Sequence, residues 1–209
     1  VYAIIVSLCV FIIRRNNKAF IGALAFLLLL IISVTVRNVN ALSQQAIIVY
    51  NVNKHTAIDL IEGKTAFFIC DSAMMSDVKK QEFHIMNNRC RMMIEDVITL
   101  PVGDGAISTN EKNVFAQKNL YSFGGKNMAI VDKSTYNTRK IKLDYMVVAN
   151  NPDLTMEEML KQYEPTFIIF DASNSAKKLS RWSTQCEILG KSYYSTKSSG
   201  AWRYFINNR

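Results

Sequence analysis

The chain has 209 residues, 49% of them hydrophobic and 20% charged, and a formal net charge of +8. Four of those charges, Arg14, Arg15, Lys18 and Arg37, lie among residues 1–37, where there is no acid, so residues 38–209 carry only +4. That balance is too mild to announce a strongly electrostatic nucleic-acid surface, and the lack of repeats or low-complexity tracts excludes solenoids and disordered arrays; the length leaves room for one domain with a real core.

Two apolar runs open the chain, residues 1–13 and 19–36, with Arg14, Arg15 and Lys18 between them. The second run holds no charge and contains Leu27-Leu28-Leu29-Leu30-Ile31-Ile32. At about 1.5 Å per helical residue it reaches roughly 27 Å, close to the hydrocarbon thickness of a bilayer. The first run is too short to span and begins on a residue other than Met, so it reads as a helix entered part-way. Residues 1–37 are therefore expected to be a transmembrane hairpin with a truncated first helix, from a larger multi-pass protein. Short basic loops stay cytoplasmic, which places the Arg14–Lys18 turn inside and residues 38–209 on the extracytoplasmic side. A signal peptide is the competing reading, with Arg14-Arg15 as its basic region and Val39-Asn40-Ala41 as its cleavage site. Its apolar stretch would be unusually long, and the run upstream has no place in it.

Beyond the membrane segment, strands and helices alternate. Residues 45–51 form a β-branched run of strand length. Strands over 56–61 and 65–70 follow, joined by Glu62-Gly63-Lys64, whose glycine suits a tight turn. Residues 76–93 read as a helix, with Asp77 as cap and Val78, Phe83, Met86 and Met93 on one inward face. Residues 94–100 return to strand composition and are broken by Pro101 and Gly103-Asp104-Gly105. Residues 113–121 carry no clear pattern, 127–131 form a short strand after Gly124-Gly125, and 134–140 are polar loop. Residues 143–149 are a buried strand. Thr155 and Glu158 have capping-box spacing for a helix reaching about Tyr163 and ended by Pro165. Residues 166–170 are another buried strand, and 177–189 an amphipathic helix with Leu179, Trp182, Cys186 and Leu189 inward, closed by Gly190. Strands over 193–196 and 201–206 finish the chain. Early hairpins and late strand–helix–strand units predict an α/β layered domain.

The polar candidates each have a plain structural reading. His55 is a turn residue and His84 a solvated or capping side chain. Asp71 and Asp171 follow apolar strands, where turns and caps use Asp, although strand ends of α/β domains are also where ligands bind. Ser173-Asn174-Ser175 reads first as a helix N-cap. Of the cysteines, Cys9 lies in an apolar helix, and Cys70, Cys90 and Cys186 have no metal-knuckle or redox spacing; buried free thiols are expected, with one disulfide left open. The aromatic residues Tyr121, Phe123, Tyr193, Tyr194, Trp202 and Tyr204 with nearby Lys and Arg are ordinary strand-face residues or, in the sharper reading, base-stacking ones. Lys54, Tyr194, Lys197, Trp202 and Arg203 are the candidate DNA contacts.

These residues carry a resemblance. Residues 47–57, IIVYNVNKHTA, match the opening of a family in which an apolar run leads into Asp-Val-Gly-Gln-Gly-Asp-Ala. Asp71-Ser72-Ala73 stands where that family has Asp-Thr-Gly, and residues 147–155 fall on its metal strand, which ends in Ser-His-Pro-His-x-Asp-His. Pro165, the strand after it, Asn174, Gly190, Tyr194, Thr196 and Gly200 follow its tail. The chain resembles the C-terminal part of the ComEC-type competence proteins, inner-membrane channels for single-stranded DNA in natural transformation, and is similar to the Bacteroidota versions. The resemblance implies an extracytoplasmic metallo-β-lactamase-like αββα sandwich over residues 38–209, preceded by transmembrane helices.

It also shows where this chain departs. Zinc hydrolysis on such a fold needs several imidazole and carboxylate donors around an open water position. Here the metal motif reads Ala149-Asn150-Asn151-Pro152-Asp153-Leu154-Thr155, without a histidine. The vestigial positions are Asn51, His55, Asp71, Asn150, Asn151, Asp153 and Asn174, and no catalytic residue, metal or cofactor is expected. The sequence thus predicts a non-catalytic guide or scaffold for single-stranded DNA, bound weakly, in a multi-pass protein of the bacterial inner membrane. Its further partners would be the membrane, the remainder of the polypeptide and other competence proteins or a second copy. The alternative is a metal-dependent phosphodiester hydrolase acting on incoming DNA; a membrane-anchored interaction module without a nucleic-acid role is a third reading.

Overall fold

The computed structural model describes residues 2–14, 17–102, 106–109, 114–133 and 140–206. The chain divides into two compact units, Val1–Ser43 and Gln44–Arg209. The expected break at Gly103-Asp104-Gly105 and nearly all of the polar loop at 134–140 lie outside the described residues.

In the first unit, α1 (Tyr2–Arg14) and α2 (Asn17–Ser43) pack on each other. Ser7 Oγ donates to the Ala19 carbonyl at 2.7 Å, and the rings of Phe11 and Phe20 lie 5.1 Å apart. The apolar side chains from Leu27 to Ile32 are exposed, as a lipid-facing stripe requires. At 27 residues α2 is about 40 Å long, enough to cross a bilayer with some tilt. It runs seven residues past its expected end at Val36. Nothing between Arg37 and Ser43 is Gly or Pro, and Ser43 Oγ bonds back to the Val39 and Asn40 carbonyls. Residues 39–41, weighed above as a cleavage site, are helical.

The second unit begins with β1 (Gln45–Val49), β2 (Ala57–Glu62) and β3 (Thr65–Cys70). Gly63, at φ 59°, makes the turn between the last two. A helical segment follows, α3 (Ser72–Ser76), α4 (Val78–Gln81), a π turn (Glu82–Met86) and α5 (Asn87–Arg91), then β4 (Asp96–Pro101). Next come β5 (Ala106–Thr109), β6 (Val114–Gln117), β7 (Leu120–Phe123), β8 (Lys126–Val131), β9 (Ile141–Val148), α6 (Met156–Gln162) and β10 (Tyr163–Phe170). The chain closes with α7 (Ala176–Ile188), β11 (Tyr193–Ser195), α8 (Thr196–Ser199) and β12 (Trp202–Phe205). Two sheets result, ordered β12-β1-β2-β3-β4 and β11-β10-β9-β8-β7-β6-β5, with β9 and β10 adjacent and parallel as their shared apolar composition predicts.

The strands' period of two sorts the core into three layers. Ile47, Val49, Ile58, Leu60, Phe67 and Ile69 of the first sheet meet Phe123, Ile130, Tyr145, Val147 and Ile169 of the second. The alternate residues point outward. On the second sheet Met146, Val148 and Phe170 are covered by Met156 and Met159 of α6 and Leu179, Trp182 and Cys186 of α7. On the first, Ala46, Ile48, Ile61 and Phe68 are covered by Met74 and Ile85.

Three expectations change. The helix over 76–93 is broken, and its buried residues are Ile85 and Arg89, while Val78 and Met86 are exposed and Phe83 is 82% exposed. The π turn inserts an extra residue into the helical period and rotates the face. Pro165 does not end α6; Thr155 and Glu158 form the capping box as expected, but β10 starts at Tyr163 and includes the proline. At that level β10 pairs with β9 alone, since β11 joins only at Ile168, so a residue without an N–H is tolerated on the open side. Leu189 is the C-cap of α7 and partly exposed rather than inward. Residues 114–123, without a clear pattern in sequence, form the antiparallel pair β6 and β7. All four cysteines are free, Cys9 and Cys90 exposed, Cys70 and Cys186 buried.

Candidate functional site

The ends of β1, β3, β9 and β10 converge at one end of the two sheets, and the loops that leave them are tied together. Lys54, at φ 66°, donates its backbone N–H to the Ala172 carbonyl at 3.1 Å, joining the β1–β2 loop to the end of β10. Thr56 makes the second tie. Its N–H goes to Asp71 Oδ2 at 2.7 Å and its hydroxyl to Asp171 Oδ2 at 2.7 Å. Asp71 also caps α3, accepting from Met74 N at 2.8 Å.

Asp171 is fully buried beneath the site. It accepts from Ser173 N, Ser173 Oγ and Asn174 Nδ2 as well as Thr56. Burial pushes its carboxyl up to about 7; the bonds from Ser173 and Thr56 oppose the shift and do not overcome it. Above it, Asn150 and Asn151 both take left-handed backbone, at φ 57° and 53°, a conformation Asn tolerates better than most residues. The Asn150 N–H donates to Ser173 Oγ at 2.6 Å, the Asn151 N–H to Asn174 Oδ1 at 2.9 Å, and Asn151 Oδ1 accepts from Ser175 N at 2.7 Å. Ser175 in turn caps α7 by accepting from Lys178 N. The asparagines are thus used to build the turn.

His55 lies beside this cluster, mostly buried. Its Nδ1 is 3.2 Å from Asp71 Oδ1, and Lys80 Nζ is 3.0 Å from its Nε2. An ammonium donates only, so Nε2 is the acceptor and Nδ1 carries the proton toward Asp71. Lys80 is held in turn by Asp77 Oδ2 at 3.0 Å.

Of the vestigial positions, His55, Asp71, Asn150, Asn151 and Asn174 come together. Asn51 is exposed in the β1–β2 loop, and Asp153 turns outward, its side chain fully exposed and 3.4 Å from Lys178. Thr56, Lys80, Asp171 and Ser173 complete the cluster. Asp171 had shown itself in sequence as a strand-end carboxylate; Thr56 and Lys80 gave no signal, because their partners lie 115 and 25 residues away. Cys70 beside Asp71 is not a reactive thiol, since burial in the sheet pushes it up to about 12.

A cavity of about 670 Å³ opens over Asn150, Asn151 and Asn174, walled by Lys54, Lys133 and Lys197, with no acidic side chain among the described residues of its lining. A second, of about 610 Å³, shares Ala176 and Lys197 with the first and continues along Tyr193, Tyr194 and the serines of α7 and α8. Lys54, Lys197 and Tyr194 therefore gather as candidate contacts, whereas Trp202 and Arg203 do not. Trp202 stacks between Phe167 and Tyr204, with centroids 6.2 and 6.1 Å away, and closes the edge of the sandwich. Arg203, the next residue on β12, is exposed away from both cavities.

These donors do not fit a zinc pair. Among the described residues, no three His, Cys, Asp or Glu side chains are grouped to hold a metal ion. The one imidazole present has both nitrogens engaged, one of them by a cation.

A family model described as the ComEC C-terminal domain matches residues 47–206. The chain belongs to that family. No curated protein and no solved structure matches it. The match runs from Ile47 in β1 to Ile206, just past β12, so the ComEC C-terminal domain coincides with the two sheets and includes every residue of the converging loops. Membership gives the chain a role in DNA uptake and competence in a membrane-associated setting, to which α2 adds one helix long and apolar enough to span a bilayer.

Proposed function

We propose that the ComEC C-terminal domain of this chain guides single-stranded DNA during uptake without cutting it. The carrying observation is the lining of the site, where asparagine amides, serine hydroxyls and lysine ammonium groups stand in place of the imidazole and carboxylate donors that activate water on a metal. In this reading the two helix-covered sheets are a metallo-β-lactamase-like sandwich that has lost its metals, and the Tyr50-Asn51 and Lys54-His55 pairs support a likeness to the Bacteroidota versions of the family. Arg14, Arg15 and Lys18 support a cytoplasmic connection between α1 and α2, so the domain that follows α2 faces the periplasm of a multi-pass inner-membrane protein. Weak binding suits this role, since a surface that passes a strand onward must release it.

Titration of the full chain in detergent with a labelled oligonucleotide, at 50 and 200 mM salt and with added Mn²⁺ or Zn²⁺, tests the reading. Two or three phosphate contacts predict an affinity about tenfold weaker at the higher salt, and no shortening of the oligonucleotide. Salt-insensitive tight binding overturns it. Metal-dependent shortening lost in Asp71→Ala replaces it with the phosphodiester hydrolase.

A further inference from the structure

We propose that the cavity at the sheet ends is a phosphate site of a bipartite nucleotide groove, with Lys54, Lys133 and Lys197 holding the phosphate and the channel beyond Lys197 holding the attached sugar and base. This rests on the guide reading and gives it an address. The three lysines come from separate places in the fold, the β1–β2 loop, the end of β8 and the start of α8, and they meet only because the strand ends converge. Among the described residues none of the three is paired with a carboxylate. Like charges facing one cavity repel one another unless an anion lies between them.

Three acids near the cavity are occupied elsewhere. Asp153 points out to Lys178, Asp71 is consumed by Thr56, Met74 and His55, and Asp171 is sealed under Ser173. Lys197 Nζ is steadied by the Asn174 carbonyl at 3.1 Å, which holds it between the two cavities. The lysines thus form a cationic pocket whose described lining holds no acidic residue to invite a divalent cation.

The adjoining channel supplies the rest of a nucleotide. Each cavity falls within the roughly 300–1,000 Å³ of small-molecule sites. Tyr194 presents a half-buried ring, its hydroxyl fixed by the Ser199 carbonyl at 2.8 Å, and Ser180, Ser183 and Ser198 line the same channel. An aromatic face and rotatable hydroxyls accept any base, so the groove grips one nucleotide unit with little regard to sequence.

The full chain in detergent is titrated with thymidine monophosphate, inorganic phosphate and a twelve-residue oligothymidylate. The chains compared are the unaltered one, the triple variant Lys54→Gln, Lys133→Gln, Lys197→Gln, Tyr194→Ala and, as the loss of one charge away from both cavities, Arg203→Gln. The triple variant should weaken all three ligands at least tenfold, and Arg203→Gln less than threefold. Tyr194→Ala should weaken the nucleotide and the oligonucleotide but not inorganic phosphate. Oligonucleotide binding that survives the triple variant overturns this site and leaves the guide reading standing. Nucleotide binding without oligonucleotide binding overturns the guide reading and leaves the site standing. Binding of none of the three ligands overturns both.

Discussion

Arg89→Ala is expected to destabilise the domain by about 3–5 kcal/mol. Arg89 is 5% exposed and Asp59, on β2, is fully buried. The guanidinium meets the carboxylate in two bonds, Nε to Oδ2 at 2.9 Å and Nη2 to Oδ1 at 2.7 Å, and lies 4.5 Å over the ring of Phe68. Tyr50 donates its hydroxyl to Asp59 Oδ2 at 2.8 Å, and burial raises its pKa so that it stays a neutral phenol. Truncating Arg89 leaves a buried anion with that single hydroxyl. The loss also loosens the helical segment that carries Lys80 to His55. Urea unfolding of the full chain in detergent, followed by the fluorescence of Trp182 and Trp202, measures it. Exchanging both partners for apolar residues, Asp59→Leu with Arg89→Met, should recover most of the stability, because the cost lies in the orphaned charge. A single variant within 1 kcal/mol of the unaltered chain would refute the argument.

The second large effect is a pH dependence centred on Asp171. Its folded pKa is raised, from the 3.8 of a free carboxyl to about 7, by burial. The folded chain therefore holds a proton that the unfolded chain gives up between those values, so the contribution of Asp171 to stability is greatest below about pH 4 and falls as the pH rises toward 7. The loss is at most about 4 kcal/mol, complete once the pH passes the folded pKa. Asp171→Asn keeps the shape and removes the titration. The difference in unfolding free energy between the two chains should change steeply from pH 5 to 7 and level off above, with the variant gaining on the unaltered chain throughout. A difference that stays constant across that range would mean that Asp171 ionises as freely in the folded state as in the unfolded one.

The sequence displayed its layers better than its site. Alternating apolar residues in the strands and the Thr155–Glu158 capping box are local signals, and the structure follows them. The helical segment before β4 was misread because Arg89 faces inward, an orientation that depends on Asp59 thirty residues earlier. Pro165 misled for a similar reason, since whether a proline breaks or joins a strand depends on which edge is open. At the site, the absence of histidine from Ala149-Asn150-Asn151-Pro152 was plain. The lysine-walled cavity was not, because Lys54, Lys133 and Lys197 are scattered along the chain and only the sheet topology unites them. Trp202 looked like a stacking platform, and the unread fact was that Phe167 and Tyr204 already occupy its faces.

The guide role proposed for this ComEC C-terminal domain needs no metal, and metal content tests it most directly. The full chain is purified without chelators from cells supplied with zinc and manganese, and its metal is measured by elemental analysis beside Asp71→Asn and His55→Gln variants. With His55 engaged by Lys80 and Asp71, and no other imidazole at the site, the chain should carry well under one-tenth of an equivalent of either metal, the same in all three proteins. One or two equivalents of zinc or manganese in the unaltered chain, lost on replacing Asp71 or His55, would contradict the account.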